Sequence, residues 1–265
     1  MMENMKYAFS TNCCPQWDAP TIAAHAKELG YQGVEAAATE QIERISQELA
    51  ANGAVVACVC CDLAGGSNRH SQEISADQVR QAIQTAQSVD CHHVKIAGLA
   101  PLELSKLAKW LQPLGDAAVT EDVTLVIENQ PPFANAHAMW LLLEAVNHPA
   151  IAAAWDVCTA ANAGESPWVS VPNLNSRIAY TMVRDARISE ANAIPCPFGQ
   201  GDVPLQPFVA RLMGVGFQGW IAVQSDGGVN NSPAIALAEA LAKLRNWSKP
   251  PEIKRPPHRT APVRQ

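Results

Sequence analysis

Short β-forming runs alternate with longer amphipathic segments along nearly the whole chain, and few architectures accommodate that rhythm. The predicted strands are KYAFS from Lys6, GVEAA from Gly33, AVVACVC from Ala54, HHVKIA from His92, VTLVIE from Val123, IAAAWD from Ile151, IAYTMV from Ile178 and GWIAVQ from Gly219. Between them, APTIAAHAKELG, EQIERISQELAANG, SADQVRQAIQTAQSV, LELSKLAKWLQPLGDAAV, NAHAMWLLLEAV, PLQPFVARLMGVG and SPAIALAEALAKLRNW carry apolar residues at three- and four-residue intervals, as helices do. Strands apolar on both faces belong to a parallel sheet covered by helices. About eight such units in 265 residues fit a closed (β/α)8 barrel better than an open doubly wound sheet. No G-x-G-x-x-G follows the first strand, which removes the main sign of a dinucleotide site. The expected architecture is a single α/β (β/α)8 TIM barrel over residues 1–247. The segment from Asp156 to Ile178 is the weakest in pattern and is expected to be helical only near its end.

The remaining residues, 248–265, form a short Pro-rich basic tail, SKPPEIKRPPHRTAPVRQ, with too little apolar surface to offset the entropy of ordering. A flexible or surface-draped extension and an inter-subunit arm are both open. Hydrophobic residues make up 48% and charged residues 17%, with a formal charge of -6, so there is no basic face for nucleic acid. No apolar run approaches the roughly 20 residues that span a bilayer, and the start lacks a long apolar segment, so a cytoplasmic protein is expected, with small-molecule partners. The eight cysteines are spread along the chain, several inside strand-like runs, and read as reduced core thiols.

A barrel turns strand ends into a map, because the C-terminal ends of its strands converge on one mouth. Asn12, Cys13, Cys14, Glu35, Asp62, Glu128, Asp156, Asp185 and Gln224 fall there, whereas His92 and His93 open their strand and fall at the opposite face. An apolar strand that ends on a carboxylate requires a partner for it. Glu128 and Asp156 both end such strands, and each reads either as a functional acid or as half of a structural ion pair, Glu128 with Arg184 or Arg187. Lys95 alternates in HVKIAG and points either into the barrel or outward beneath a helix. His70 lies on a polar loop after the third strand. Trp17 and Trp168, placed in loops, are able to stack on a sugar face or to cover the barrel. Asp202 is expected to cap the helix after FGQGDVPLQPF, with Pro204 in its first turn.

In their order along the chain, KELGYQGVEAAA, LVIENQPP, VNHPAIAAAWDVCTA, IAYTMVRDAR and FGQGDVPLQPFVARLMGVGFQGWIAVQSD resemble the xylose isomerase-like TIM barrels, the superfamily of sugar isomerases and epimerases, inosose dehydratases and endonuclease-IV-like proteins. The resemblance runs from about Tyr7 to Trp247 and is most specific from Leu125 to Gln224. It implies a divalent metal (Mn, Mg or Zn) at the mouth, with Glu128 and Asp156 as its first two ligands and Gln224 at the fourth position. This sequence departs from the pattern at Met182, where a His is usual, at Thr159, where a His is frequent, and at Gln224, where a Glu is usual. The resemblance thus implies a partly eroded metal site. It further implies a sugar or polyol isomerase, epimerase or dehydratase-like enzyme that removes a proton next to a carbonyl. Glu128 would be its base, Lys95 or Arg187 its electrophile, and Arg184, Asp185, His70, Trp17 and Asn129 its substrate contacts. The alternative is a repurposed barrel that binds a carbohydrate-like ligand or a partner subunit without catalysis. A homo-oligomer is open in either case.

Overall fold

The computed structural model describes residues 5–63, 72–99, 102–189, 192–224 and 232–249. His70 and residues 250–265 of the tail lie outside the described residues. Eight parallel strands close into a barrel: β1 (Lys6–Ser10), β2 (Gly33–Ala37), β3 (Val55–Asp62), β4 (His93–Ala97), β5 (Thr124–Glu128), β6 (Ile151–Asp156), β7 (Ile178–Val183) and β10 (Trp220–Val223). Closure comes from β1 pairing with β10, from Lys6 against Trp220 to Phe9 against Val223. The helices between them are α1 (Ala19–Leu29), α2 (Ile42–Ala51), α3 (Gln72–Ser88), α4 (Leu104–Thr120), α5 (Ala136–Val146), α6 (Val157–Asn162), α7 (Pro167–Leu174), α8 (Leu205–Gly214) and α9 (Pro233–Trp247).

Local chemistry sets several of these ends. Asp18 accepts the backbone N–H of Thr21 at 3.0 Å to start α1, and Asn135 accepts that of Ala138 at 2.9 Å to start α5. The helices turn Leu, Ile and Ala stripes inward, where they join one continuous core with the outward faces of the strands. The inward faces form a second, smaller cluster of Ala8, Ala57, Cys58, Val126, Ala154, Tyr180, Met182, Trp220 and Ala222. Gly33 is required beside it, since a Cβ there would stand 2.8 Å from the Trp220 ring. All eight cysteines are free thiols. Among the described residues no helix is long and apolar enough to cross a membrane.

The structure departs from the sequence expectations in three places. The stretch after Asp156 is not helical only near its end: it holds two helices, α6 starting directly from the strand and α7 capped by Ser166. Trp168 therefore belongs to the first turn of α7, with the Arg211 guanidinium 3.6 Å from its ring centroid. A two-stranded antiparallel hairpin, β8 (Ala186–Ser189) with β9 (Asn192–Pro195), follows β7. Asp202 does not cap α8: its carboxylate accepts the backbone N–H of Ile188 at 2.9 Å and ties down the hairpin, while Pro204 stands at the cap position instead of within the helix.

Candidate active site at the barrel mouth

Strand alternation turns Glu35, Lys95, Glu128, Asp156, Met182 and Gln224 toward the barrel axis from six different strands or strand ends. Lys95 points inward, and its ammonium is the hub. It donates to Glu35 Oε1 at 2.9 Å, approaches Met182 Sδ to 3.3 Å, and lies 3.6 Å from Glu128 Oε2. Gln224 Nε2 donates to the same Glu35 oxygen at 3.0 Å. Glu128 thus pairs with neither Arg184 nor Arg187, the partners its sequence context offered. Its other oxygen accepts Gln130 Nε2 at 3.0 Å, and Gln130 Oε1 accepts the Gly98 N–H at 3.0 Å, so the end of β4 orients the acid at the end of β5.

The three charges have different environments. Glu35 is fully buried. Burial pushes its carboxyl up, but the Lys95 ammonium and hydrogen bonds from Lys95, Gln224 and Cys60 outweigh that and hold it below the usual 4.5. Burial likewise opposes the charge on Lys95, yet Glu35 first, then Cys60 and Glu128, keep it protonated well above the usual 10.5. Glu128 has 12% of its side chain exposed to the mouth. Burial raises its carboxyl above 4.5; Lys95 pulls it down, and Asp156 and Glu35 add to the rise. Of the three, Glu128 is the group most open to solvent.

Asp156 lies in a separate, closed arrangement. Its Oδ1 accepts the Cys158 N–H at 2.8 Å and caps α6, while Oδ2 accepts Thr159 Oγ1 at 3.0 Å and Arg184 Nε at 2.9 Å. Arg184, with 32% of its side chain exposed, also donates to Thr159 Oγ1 at 3.4 Å. Asn129 is fully buried, and its amide bonds both the N–H of Asp156 at 2.6 Å and the carbonyl of Asp156 at 3.0 Å, locking β5 to β6 at the rim. Asp185 accepts the backbone N–H groups of Ala186, Gly199 and Gly201 at 2.9, 2.6 and 3.0 Å, tying the hairpin to the glycine turn. Arg187 is exposed on β8 and makes no hydrogen bond or ion pair with Glu128. Trp17 is half-buried and stacks on His25, with ring centroids 4.3 Å apart.

The four positions that the resemblance assigns to a metal do not form a cage for one. Both oxygens of Asp156 are already engaged, the Met182 sulfur faces an ammonium, and the Gln224 nitrogen faces Glu35. Hard divalent ions take oxygen ligands, and one held at Glu128 would be repelled by Lys95 by several kcal/mol. Among the described residues no group of three or more His, Cys, Asp or Glu side chains is placed to hold a metal ion. Sequence reasoning gave roles to Glu128 and Lys95 but none to Glu35 or Gln130. The signal for Glu35 was a lone carboxylate at an inward position of an apolar strand, matched by a lone lysine two strands on.

A family model described as xylose isomerase-like TIM barrel matches residues 23–247. A crystal structure of a probable 3-DHS dehydratase from Bacillus anthracis superposes with a TM-score of 0.77 at 14% identity, covering 91% of this chain and 99% of that one. A D-allulose 3-epimerase from Methylomonas sp. gives a TM-score of 0.76 at 15% identity, covering 92% and 97%. A 3-keto-D-glucoside 4-epimerase from E. coli gives 0.77 at 14%, covering 91% and 99%. At these identities the likeness is one of fold. No curated protein matches the sequence.

Proposed function

The chain belongs to the xylose isomerase-like TIM barrel family, and from that membership we propose an enzyme that isomerises or dehydrates a small carbohydrate-like molecule. It does so by taking a proton from a carbon next to a carbonyl. The observation that carries this reading is one solvent-reachable carboxylate, Glu128, oriented by Gln130 and set 3.6 Å from the Lys95 ammonium at the mouth. The fold neighbours named above, two sugar epimerases and a probable dehydratase, support a carbohydrate-like substrate in this reading.

In the step itself, Glu128 accepts the proton, the C–H electron pair becomes the new C=C bond, and the carbonyl π pair moves onto oxygen. Lys95 donates a hydrogen bond to that oxygen as its charge develops. The Glu128 proton then passes to the former carbonyl carbon while the proton of the adjacent hydroxyl moves to the former carbonyl oxygen, completing isomerisation, or it passes to a departing β-hydroxyl as the carbonyl re-forms, completing loss of water. Epimerisation needs a base on the other face of the carbon, and Gln224 cannot act as one. Arg184 and Trp17 contact the substrate at the rim, and Arg187 extends that surface from the hairpin. The same reading takes the chain to work in the cytoplasm.

Incubating the protein with a panel of ketoses, inososes and 3-dehydro acids in deuterated water tests this. Solvent deuterium should enter the product, and Glu128→Gln should lower the rate by roughly 10²- to 10⁴-fold. Unchanged turnover in Glu128→Gln removes the assignment. A second reading, a barrel that binds a carbohydrate-like ligand or a partner subunit without turnover, is favoured by Asp156 and Asn129, whose hydrogen-bonding groups are occupied within the protein. Saturable ligand binding with no deuterium incorporation is its signature.

A further inference from the structure

The centre of the mouth already holds a cation. Of the four positions at which the family carries a divalent ion, the Lys95 ammonium touches Met182 at 3.3 Å and Glu128 at 3.6 Å. It shares Glu35 Oε1 with a third position, Gln224. The fourth, Asp156, is closed by Cys158, Thr159 and Arg184. We infer that the ammonium of Lys95, pinned by Glu35, is a built-in cation that stands in the place of the divalent ion, so that the barrel mouth works without Mn²⁺, Mg²⁺ or Zn²⁺.

The departures at positions 182 and 224 are the ones that a buried ammonium requires. A thioether next to Lys95 adds no competing charge, whereas a protonated imidazole would. The Gln224 amide donates to Glu35, whereas a glutamate in its place would set a second carboxylate against the first. Glu35, fully buried, needs a charged partner, and Lys95 is that partner at 2.9 Å. An ammonium also differs from a metal in what it asks of a ligand. It has three N–H donors, and with one spent on Glu35 and another facing Met182, one is left toward Glu128 and the mouth, so the site selects a lone carbonyl oxygen beside Glu128 more than a pair of adjacent oxygens. The inference concerns which cation occupies the mouth and stands apart from whether Glu128 moves a proton.

Manganese titration followed by electron paramagnetic resonance tests it on the full chain after dialysis against chelator. The unaltered protein should bind no stoichiometric Mn²⁺. The double variant Met182→His/Gln224→Glu, which restores the family's donors, should still bind weakly. Adding Lys95→Met to those two changes should tighten binding at least ~100-fold. Because Lys95→Met strands Glu35, a fourth variant adding Glu35→Gln keeps the interior neutral, and circular dichroism verifies the fold of each. Stoichiometric Mn²⁺ in the unaltered chain overturns the inference, as does a double variant that binds as tightly as those lacking Lys95. If neither Lys95 variant folds, the unaltered chain and the folded double variant decide: weak binding by both upholds the inference.

Discussion

Glu35 and Lys95 are each nearly inaccessible, so what holds them in place is mainly each other. Removing one charge of such a pair leaves the other buried and uncompensated, at a cost of about 3–5 kcal/mol. Lys95→Met should therefore lower stability in urea denaturation by that amount, and Glu35→Gln combined with it should recover most of the loss. Equal destabilisation by the single and double changes would show that the pair is not the cause. A different residue governs acid sensitivity. His93, beside Tyr180 with ring centroids 5.9 Å apart, is pushed down from 6.5 to about 4, first by burial and then by neighbouring His92. The folded state thus keeps the ring neutral while the unfolded chain takes up a proton. The stability this contributes is complete above pH 6.5 and is lost as the pH falls from 6.5 toward 4, by roughly 1.4 kcal/mol per unit. His93→Phe should flatten the urea midpoint across that interval.

At the scale of elements, the hairpin β8–β9 depends on a single carboxylate. Asp185 gathers three backbone N–H groups from both ends of the excursion, and a Cβ on Gly201 would stand 2.3 Å from its Oδ1 and 2.4 Å from the Ala186 carbonyl. Gly201→Ala should cost about 1–3 kcal/mol and speed amide exchange at Gly199 and Ala186, with little change at the barrel strands. This hairpin was not legible in the sequence, for a physical reason. Its strands are four residues each and largely exposed, so no apolar run marks them. α6 was hidden similarly: six residues starting directly from β6 are too few to display a period. The barrel strands were legible because a parallel strand covered on both faces must be apolar throughout, and β1, β2, β6 and β7 begin and end where that pattern does.

For the whole molecule, closure of the ring is what gives the site its meaning. Glu35 and Gln224 stand 189 residues apart in the chain and meet only because β1 pairs with both β2 and β10. Sequence gave the acids at the strand ends, since a carboxylate ending an apolar run is visible locally. It left open whether Lys95 faced inward, and it offered Arg184 or Arg187 for Glu128, because pairing across the barrel depends on stagger between strands that no single segment encodes. The interior has one more property with a consequence. Its bulk comes from Tyr180 and Trp220 on the adjacent strands β7 and β10, while β6 and β1, which flank them, and β3 contribute Ala154, Ala8 and Ala57. Tolerance to mutation is therefore lopsided around the ring. Tyr180→Ala should open a void and cost about 3–5 kcal/mol, whereas Ala154→Leu should fail by crowding, at about 1–3 kcal/mol. A library that exchanges volume between paired strands, one residue shrinking as its neighbour grows, as at Tyr180 and Ala154, should yield more folded barrels than one that varies either position alone.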